Sequence, residues 1–223
     1  LAPSKPGSLT EVPESDYEVV VFDNRSPSLA APTSSFKVTD NPDFSSPAIA
    51  SAGKCEVICF TSDYESSFKD LSHLQIRTVL EAWRDRTAEL SELSYIEYIA
   101  AFENRGEEVG VTLNHPHGQI YAYSYLPPKT QRMLEVATAH KKKSGNILLE
   151  DILARELSEK VRIVAENEHW VAYVPYASRY PFEIHLAPRR RVPDFLALDE
   201  AASDAFAPIA KEVLTRLDGV FGV

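Results

Sequence analysis

Cysteine, glycine, positive charge and long apolar runs are all scarce in this sequence, and each scarcity excludes something. Only Cys55 and Cys59 occur in 223 residues, too few for a disulfide scaffold. They stand four apart in an apolar run, on one side of an extended strand and too far along it to bridge easily. They read as buried thiols of a reducing cytoplasm, with metal ligation as the alternative. Eight glycines and 25% charged residues suit a mostly ordered chain. No apolar stretch approaches the roughly 20 residues that span a bilayer. The segment Leu1–Gly7 lacks the apolar core of a secretory signal, so a cytoplasmic location is expected. The net charge of −10 argues against a nucleic-acid partner, because phosphate contacts need a basic face. Two basic clusters, His140–Lys143 and Arg189–Arg191, read as a solvated helix end and a turn. A small anionic substrate remains compatible, because local donors decide its affinity.

What is present is a chain 44% hydrophobic, enough for one sizeable core or two small ones. Residues 1–16 are rich in proline and read as an irregular lead-in. Strands are expected at 17–22 and 54–61, separated by a long Ser/Pro/Ala-rich loop. Ile76, Val79, Leu80, Trp83 and Leu90 fall on one helical face. Further strands are expected at 95–102, 109–113 and 119–123, then helices at 129–143 and 146–160. Strands at 161–166, 170–174 and 182–187 follow. A last helix has Asp199 as N-cap, an apolar stripe from Phe206 to Leu217, and Gly219 as its stop.

The two halves repeat. Val19–Phe22 followed by Asn24-Arg25-Ser26-Pro27 parallels Val171–Val174 followed by Ser178-Arg179-Tyr180-Pro181. Strand 54–61 parallels strand 182–187, and the two long helices correspond. The first copy continues into a strand pair; the second stops at Val223, where its pair should begin. Missing sequence or a partner chain is expected to cover the edge left there.

The chemistry concentrates in Asn114-His115-Pro116-His117-Gly118-Gln119. Residues two apart on an extended segment point the same way, so His115, His117 and Gln119 share a face. Pro116 stiffens the backbone between the histidines, and Gly118 would let a bulky anion approach the main chain. Imidazole is largely neutral near pH 7 and attacks phosphorus well, provided one ring nitrogen is held as N–H so that the other offers its lone pair. Two histidines so spaced could equally form half of a metal site or decorate a strand surface. Upstream, Gly110, Val111 and Thr112 offer backbone N–H groups and a hydroxyl to a phosphate. Asn104, like Asn24 and Arg25, has ordinary turn chemistry as its alternative. The remaining histidines, His73, His140, His169 and His185, read as structural.

The ordered set Phe102-Glu103-Asn104-Arg105-Gly106, Gly110, His115-Pro116-His117-Gly118-Gln119-Ile120-Tyr121-Ala122 and Leu126-Pro127 resembles the signature of galactose-1-phosphate uridylyltransferases, members of the histidine-triad superfamily. The likeness extends to Val21–Arg25, Glu168-His169-Trp170, Pro181-Phe182-Glu183 and Pro188. The resemblance implies an α+β fold of two histidine-triad-like domains, residues 1–128 and an incomplete 129–223, each an antiparallel sheet with helices packed on one face. It implies exchange of a uridylyl group between UDP-glucose and galactose 1-phosphate by a homodimer. His117 resembles the uridylylated histidine, Gln119 the residue bonding the transferred phosphoryl group, and His115 its catalytic neighbour. Asn104, Gly110, Val111 and Thr112 resemble phosphate contacts, and Asn24 and Arg25 a uridine-contacting pair. Histidine-triad hydrolases carry a third histidine where Gln119 stands. An amide gives a leaving group no proton, which favours a transferase over a hydrolase. An adenylyl-transferring phosphorylase and a non-catalytic nucleotide-sugar binding protein are the other readings.

Many relatives hold a structural zinc through an N-terminal cysteine pair, a later histidine and the first histidine of the active motif. Here Ala2 and Tyr64 stand at two of those positions, and of the ligands only His115 is visible. Alanine cannot bind zinc and tyrosine rarely does, so no cofactor is required and bound zinc is doubtful. Met133 lies near the position of the glutamate that other relatives use for iron.

Overall fold

The computed structural model describes residues 12, 15–32, 51–106 and 115–221, the last without its side chain. The expected strand at 109–113 therefore lies outside the described residues. The fold is α+β. Among the described residues there are two antiparallel sheets, one of four strands in the order β1-β2-β4-β3 and one of three in the order β5-β6-β7. Their strands are β1 Val20–Asp23, β2 Gly53–Cys59, β3 Tyr98–Phe102, β4 His117–Tyr123, β5 Ile163–Glu166, β6 Trp170–Tyr173 and β7 His185–Pro188. The helices are α1 His73–Ser91, α2 Pro128–Ser144, α3 Leu148–Glu159 and α4 Glu200–Phe221. The chain divides into two compact units, residues 1–65 with 85–127 and residues 66–84 with 128–223. Among the described residues no helix is long and apolar enough to cross a membrane.

In the first unit, β4 pairs β2 on one side and β3 on the other, both antiparallel. The register sets His117 opposite Cys59, and Gln119 opposite Val57 and Phe102. Burial along β4 alternates strictly, with Gly118, Ile120 and Ala122 buried and His117, Gln119, Tyr121 and Tyr123 partly open. That is the period-two signature of a strand with one core face. Ile58 and Glu56 belong to the core face, since they stand opposite Gly118 and Ile120. Glu56 is only 2% exposed. Both its oxygens accept from Arg86 of α1 at 2.8 Å, and the Lys54 ammonium stands 3.1 Å away. Buried charge survives only when paired in this way.

Helix α1 starts from a capping box. The Gln75 amide N–H donates to the Ser72 hydroxyl, and the Ser72 N–H donates back to the Gln75 side chain, satisfying two donors that a helix start leaves without partners. Of the stripe read from sequence, Ile76, Val79, Leu80 and Leu90 are buried. In the second unit, Leu80 packs in a core with Ala165, Trp170, Ala172, Leu198, Ala202, Ile209 and Val213. Trp170 donates its indole N–H to the Ala202 carbonyl at 2.7 Å, so the ring is buried without stranding its donor. Asp199 caps α4 as expected, accepting from the Ala202 N–H at 2.8 Å.

Several expected boundaries move, and β1 begins at Val20 rather than 17. β3 begins at Tyr98 rather than 95, because Leu93–Ile96 form a turn closed by the Ile96 N–H to the Leu93 carbonyl. β7 begins at His185 rather than 182, because Phe182 has a φ of 61°, incompatible with an extended ladder. β4 begins at His117 itself rather than after the motif. Helix α4 runs through Gly219 to Phe221. Cys55 and Cys59 are buried and free. His140 bonds Asp151 at 2.7 Å, and His185 bonds Glu183 at 3.1 Å.

Candidate active site

The partly open face of the first sheet carries the candidate chemistry. The Nδ1 of His117 lies 2.7 Å from the carbonyl oxygen of its own neighbour, His115. A carbonyl only accepts, so Nδ1 carries the hydrogen and the neutral ring keeps its lone pair on Nε2. This is the arrangement a nitrogen nucleophile needs. The geometry is local in origin. His117 opens β4 while His115 lies just before it, and Pro116 between them has a fixed φ. The Pro116 carbonyl is held from the far side by the Phe60 N–H at 3.1 Å.

Gln119, two residues on, points to the same face as His117. Its orientation is fixed by a chain of donors and acceptors that begins at a backbone group. The Ser26 N–H, which can only donate, bonds the Asn24 side-chain oxygen at 2.9 Å. That turns the Asn24 amide nitrogen toward Gln119, whose Oε1 accepts it at 3.4 Å. The Nε2 group of Gln119 is thereby left as a donor on the face of His117. Asn24 is itself tied to the sheet, its N–H donating to the Cys55 carbonyl at 3.0 Å.

His115 is set differently. Its Nε2 lies 2.9 Å from the Tyr17 hydroxyl. Burial holds its ring below the ordinary histidine range, while a bond to the Thr61 main chain acts the other way. The Cys59 thiol adjoins Tyr17, and burial pushes that thiol up.

The structure thus brings together Asn24, His115, His117 and Gln119. Arg25 is exposed next to Asn24, and Asn104 is exposed two residues past β3. Gly110, Val111, Thr112 and Ala2 lie outside the described residues. Tyr64 is 64% exposed. Because Nε2 of His115 faces Tyr17, and Ala2 has no donor, these residues do not fit a zinc centre at His115. Among the described residues no cluster of three or more His, Cys, Asp or Glu could hold a metal.

Gly118 has a different reason from the one its neighbours suggest. A Cβ there would lie 2.7 Å from the Phe102 carbonyl oxygen and 2.8 Å from the Phe60 ring. The space beside its Cα is filled with protein rather than open to an anion, so the glycine lets β3, β4 and Phe60 pack closely. Sequence reasoning missed Tyr17 and Thr61 as site residues. Tyr17 lies 98 residues from His115 in the chain, and no local pattern joins them.

A family model described as galactose-1-phosphate uridyl transferase, N-terminal domain, matches residues 1–127. The model for the C-terminal domain of the same family matches residues 133–223. A galactose-1-phosphate uridylyltransferase of Streptomyces lividans is 48% identical over 223 residues, all of this chain and 57% of that protein. One of Thermotoga maritima is 36% identical over 211 residues, 95% of this chain and 65% of that protein. The chain therefore spans roughly three-fifths of the length of these relatives. A solved uridylyltransferase structure superposes with a TM-score of 0.85 at 27% identity, covering 93% of this chain and 65% of that one. An ADP-glucose phosphorylase from Arabidopsis thaliana shares the fold, with a TM-score of 0.77 at 22% identity. With one family model running over residues 1–127 and its companion over most of the rest, the chain belongs to the galactose-1-phosphate uridyl transferase family.

Proposed function

We propose that this chain carries the nucleophilic half of a nucleotidyl transfer, with UDP-glucose as donor and galactose 1-phosphate as acceptor. The observation that carries the reading is the 2.7 Å bond from His117 Nδ1 to the His115 carbonyl, which leaves Nε2 free to attack. In the first step the Nε2 lone pair forms a bond to the α-phosphorus of UDP-glucose. The bond from that phosphorus to the bridging oxygen breaks, and glucose 1-phosphate leaves with the electron pair. The leaving group is a phosphate, stable as an anion, so no acid is needed. The ring becomes cationic as it is uridylylated, and its Nδ1–H then bonds the His115 carbonyl more strongly. In the second step a phosphate oxygen of galactose 1-phosphate attacks the same phosphorus, and His117 departs with its lone pair restored.

Gln119 supports the step as a donor to the phosphoryl oxygens, because Asn24 occupies its carbonyl oxygen. A neutral amide cannot take a proton from water as a base would, which keeps the intermediate for the sugar phosphate. Asn104, Gly110, Val111 and Thr112 are proposed as phosphate contacts, Asn24 and Arg25 as nucleotide contacts, and His115 as the residue that fixes the His117 tautomer. The same proposal takes residues 1–128 and 129–223 as two related domains of a cytoplasmic enzyme that acts as a homodimer.

Intact mass spectrometry after mixing with UDP-glucose tests it, with His117→Ala as control. A uridylyl adduct on the wild type alone, discharged by galactose 1-phosphate, is the expected result. No adduct under conditions where UDP-glucose binds refutes covalent transfer. An adduct formed from ADP-glucose in preference to UDP-glucose would reassign the nucleotide.

A further inference from the structure

The tautomer of His117 depends on where the His115 carbonyl sits, and nothing in the reaction itself explains what holds His115. Tyr17 approaches it from just before β1, with its hydroxyl 2.9 Å from His115 Nε2. The two rings are tilted by 44°, with centroids 6.4 Å apart. The Thr61 main chain bonds the His115 ring as well, and the Phe60 N–H holds the Pro116 carbonyl. The peptide group whose carbonyl accepts the His117 Nδ1–H is thus fixed at the His115 ring by Tyr17 and one residue on by Phe60.

We propose that Tyr17 is a positioning residue for the transfer reaction: its hydroxyl anchors the His115 ring, and the anchored His115 keeps its carbonyl on Nδ1 of His117. The inference rests on the reading of His117 as nucleophile and extends it to a residue that touches neither substrate nor the reacting nitrogen. Tyr17 binds the ring nitrogen of His115 that a metal would otherwise be free to take, so the anchor at this point is a hydrogen bond.

The test compares wild type, Tyr17→Phe and His117→Ala by three measurements. The rate of adduct formation from UDP-glucose is followed by quenched mass spectrometry, and UDP-glucose affinity by calorimetry. The histidine tautomers are read from long-range proton–nitrogen NMR spectra. Loss of one hydrogen bond is worth roughly a fivefold to tenfold effect. Tyr17→Phe is therefore expected to bind UDP-glucose as the wild type does and to form the adduct about five to ten times more slowly. Its His117 should shift from the Nδ1–H form toward a mixture of tautomers. An unchanged rate with an unchanged His117 tautomer overturns the proposal. So does a loss of rate matched only by a loss of folded protein. The wild-type spectrum alone also overturns it if His117 carries its proton on Nε2. A wild type that forms no adduct counts against the functional reading instead, and the tautomer comparison then still decides whether Tyr17 sets His117.

Discussion

Removing Arg86 should destabilise the protein far more than removing any exposed charge. The Arg86 guanidinium meets both oxygens of Glu56 at 2.8 Å, and the two side chains are 13% and 3% exposed. Arg86→Met would leave a carboxylate buried on the core face of β2. Truncating one partner of a buried pair costs about 3–5 kcal/mol. Lys54 remains 3.1 Å from Glu56 and would compensate in part, so about 3 kcal/mol is expected. For a chain of this size that corresponds to a fall in melting temperature of roughly 6–12 °C, measurable by calorimetry alongside urea unfolding. The double variant Glu56→Leu with Arg86→Leu should recover most of the loss, because no unpaired charge is then left inside. A single-variant loss below about 1 kcal/mol would mean that Glu56 finds water, and the reasoning from burial would be wrong.

Gly118→Ala should cost about 1–3 kcal/mol through overpacking against Phe60 and the Phe102 carbonyl, read by thermal unfolding; a neutral substitution would show that β3 can give way. Asn24→Asp should slow adduct formation at least tenfold and more than Asn24→Ser does. A carboxylate can only accept and would turn the Gln119 donor away from the phosphoryl group; equal rates in the two variants, measured by quenched mass spectrometry, refute the orientation chain. Burial raises the ionisation of both Cys59 and Tyr17. The unfolded chain therefore loses these protons at lower pH than the native one. The stability they contribute is complete below about pH 9 and declines as pH rises further. Cys59→Ser should flatten that decline in melting temperatures taken between pH 8 and pH 11.

The sequence was most legible where one period ran unbroken. The stripe Ile76, Val79, Leu80 and Leu90 is buried as its spacing requires, and the face shared by His117 and Gln119 follows from strand alternation alone. Legibility failed where backbone geometry or distant partners decide. Nothing in Pro181-Phe182-Glu183 announces the positive φ of Phe182 that delays β7. Gly219 reads as a stop, yet α4 tolerates it, because a glycine weakens a helix without obliging it to end. The contacts of Asn24 with Gln119 and of Tyr17 with His115 span 95 and 98 residues. They exist only because β1 and β4 flank β2 in one sheet, an adjacency that no local pattern encodes.

The strict alternation of β4 couples core and chemistry in a way that point substitution does not reveal. One strand carries both sets of residues in antiphase, so deleting a single residue between His117 and Ala122 would turn the downstream aromatic side chains toward the core and Ile120 or Ala122 toward solvent. Such a lesion would spoil folding and catalysis in one event. This stretch can therefore vary by exchange of residues but hardly by change of length, and any length variation the family tolerates belongs in its loops.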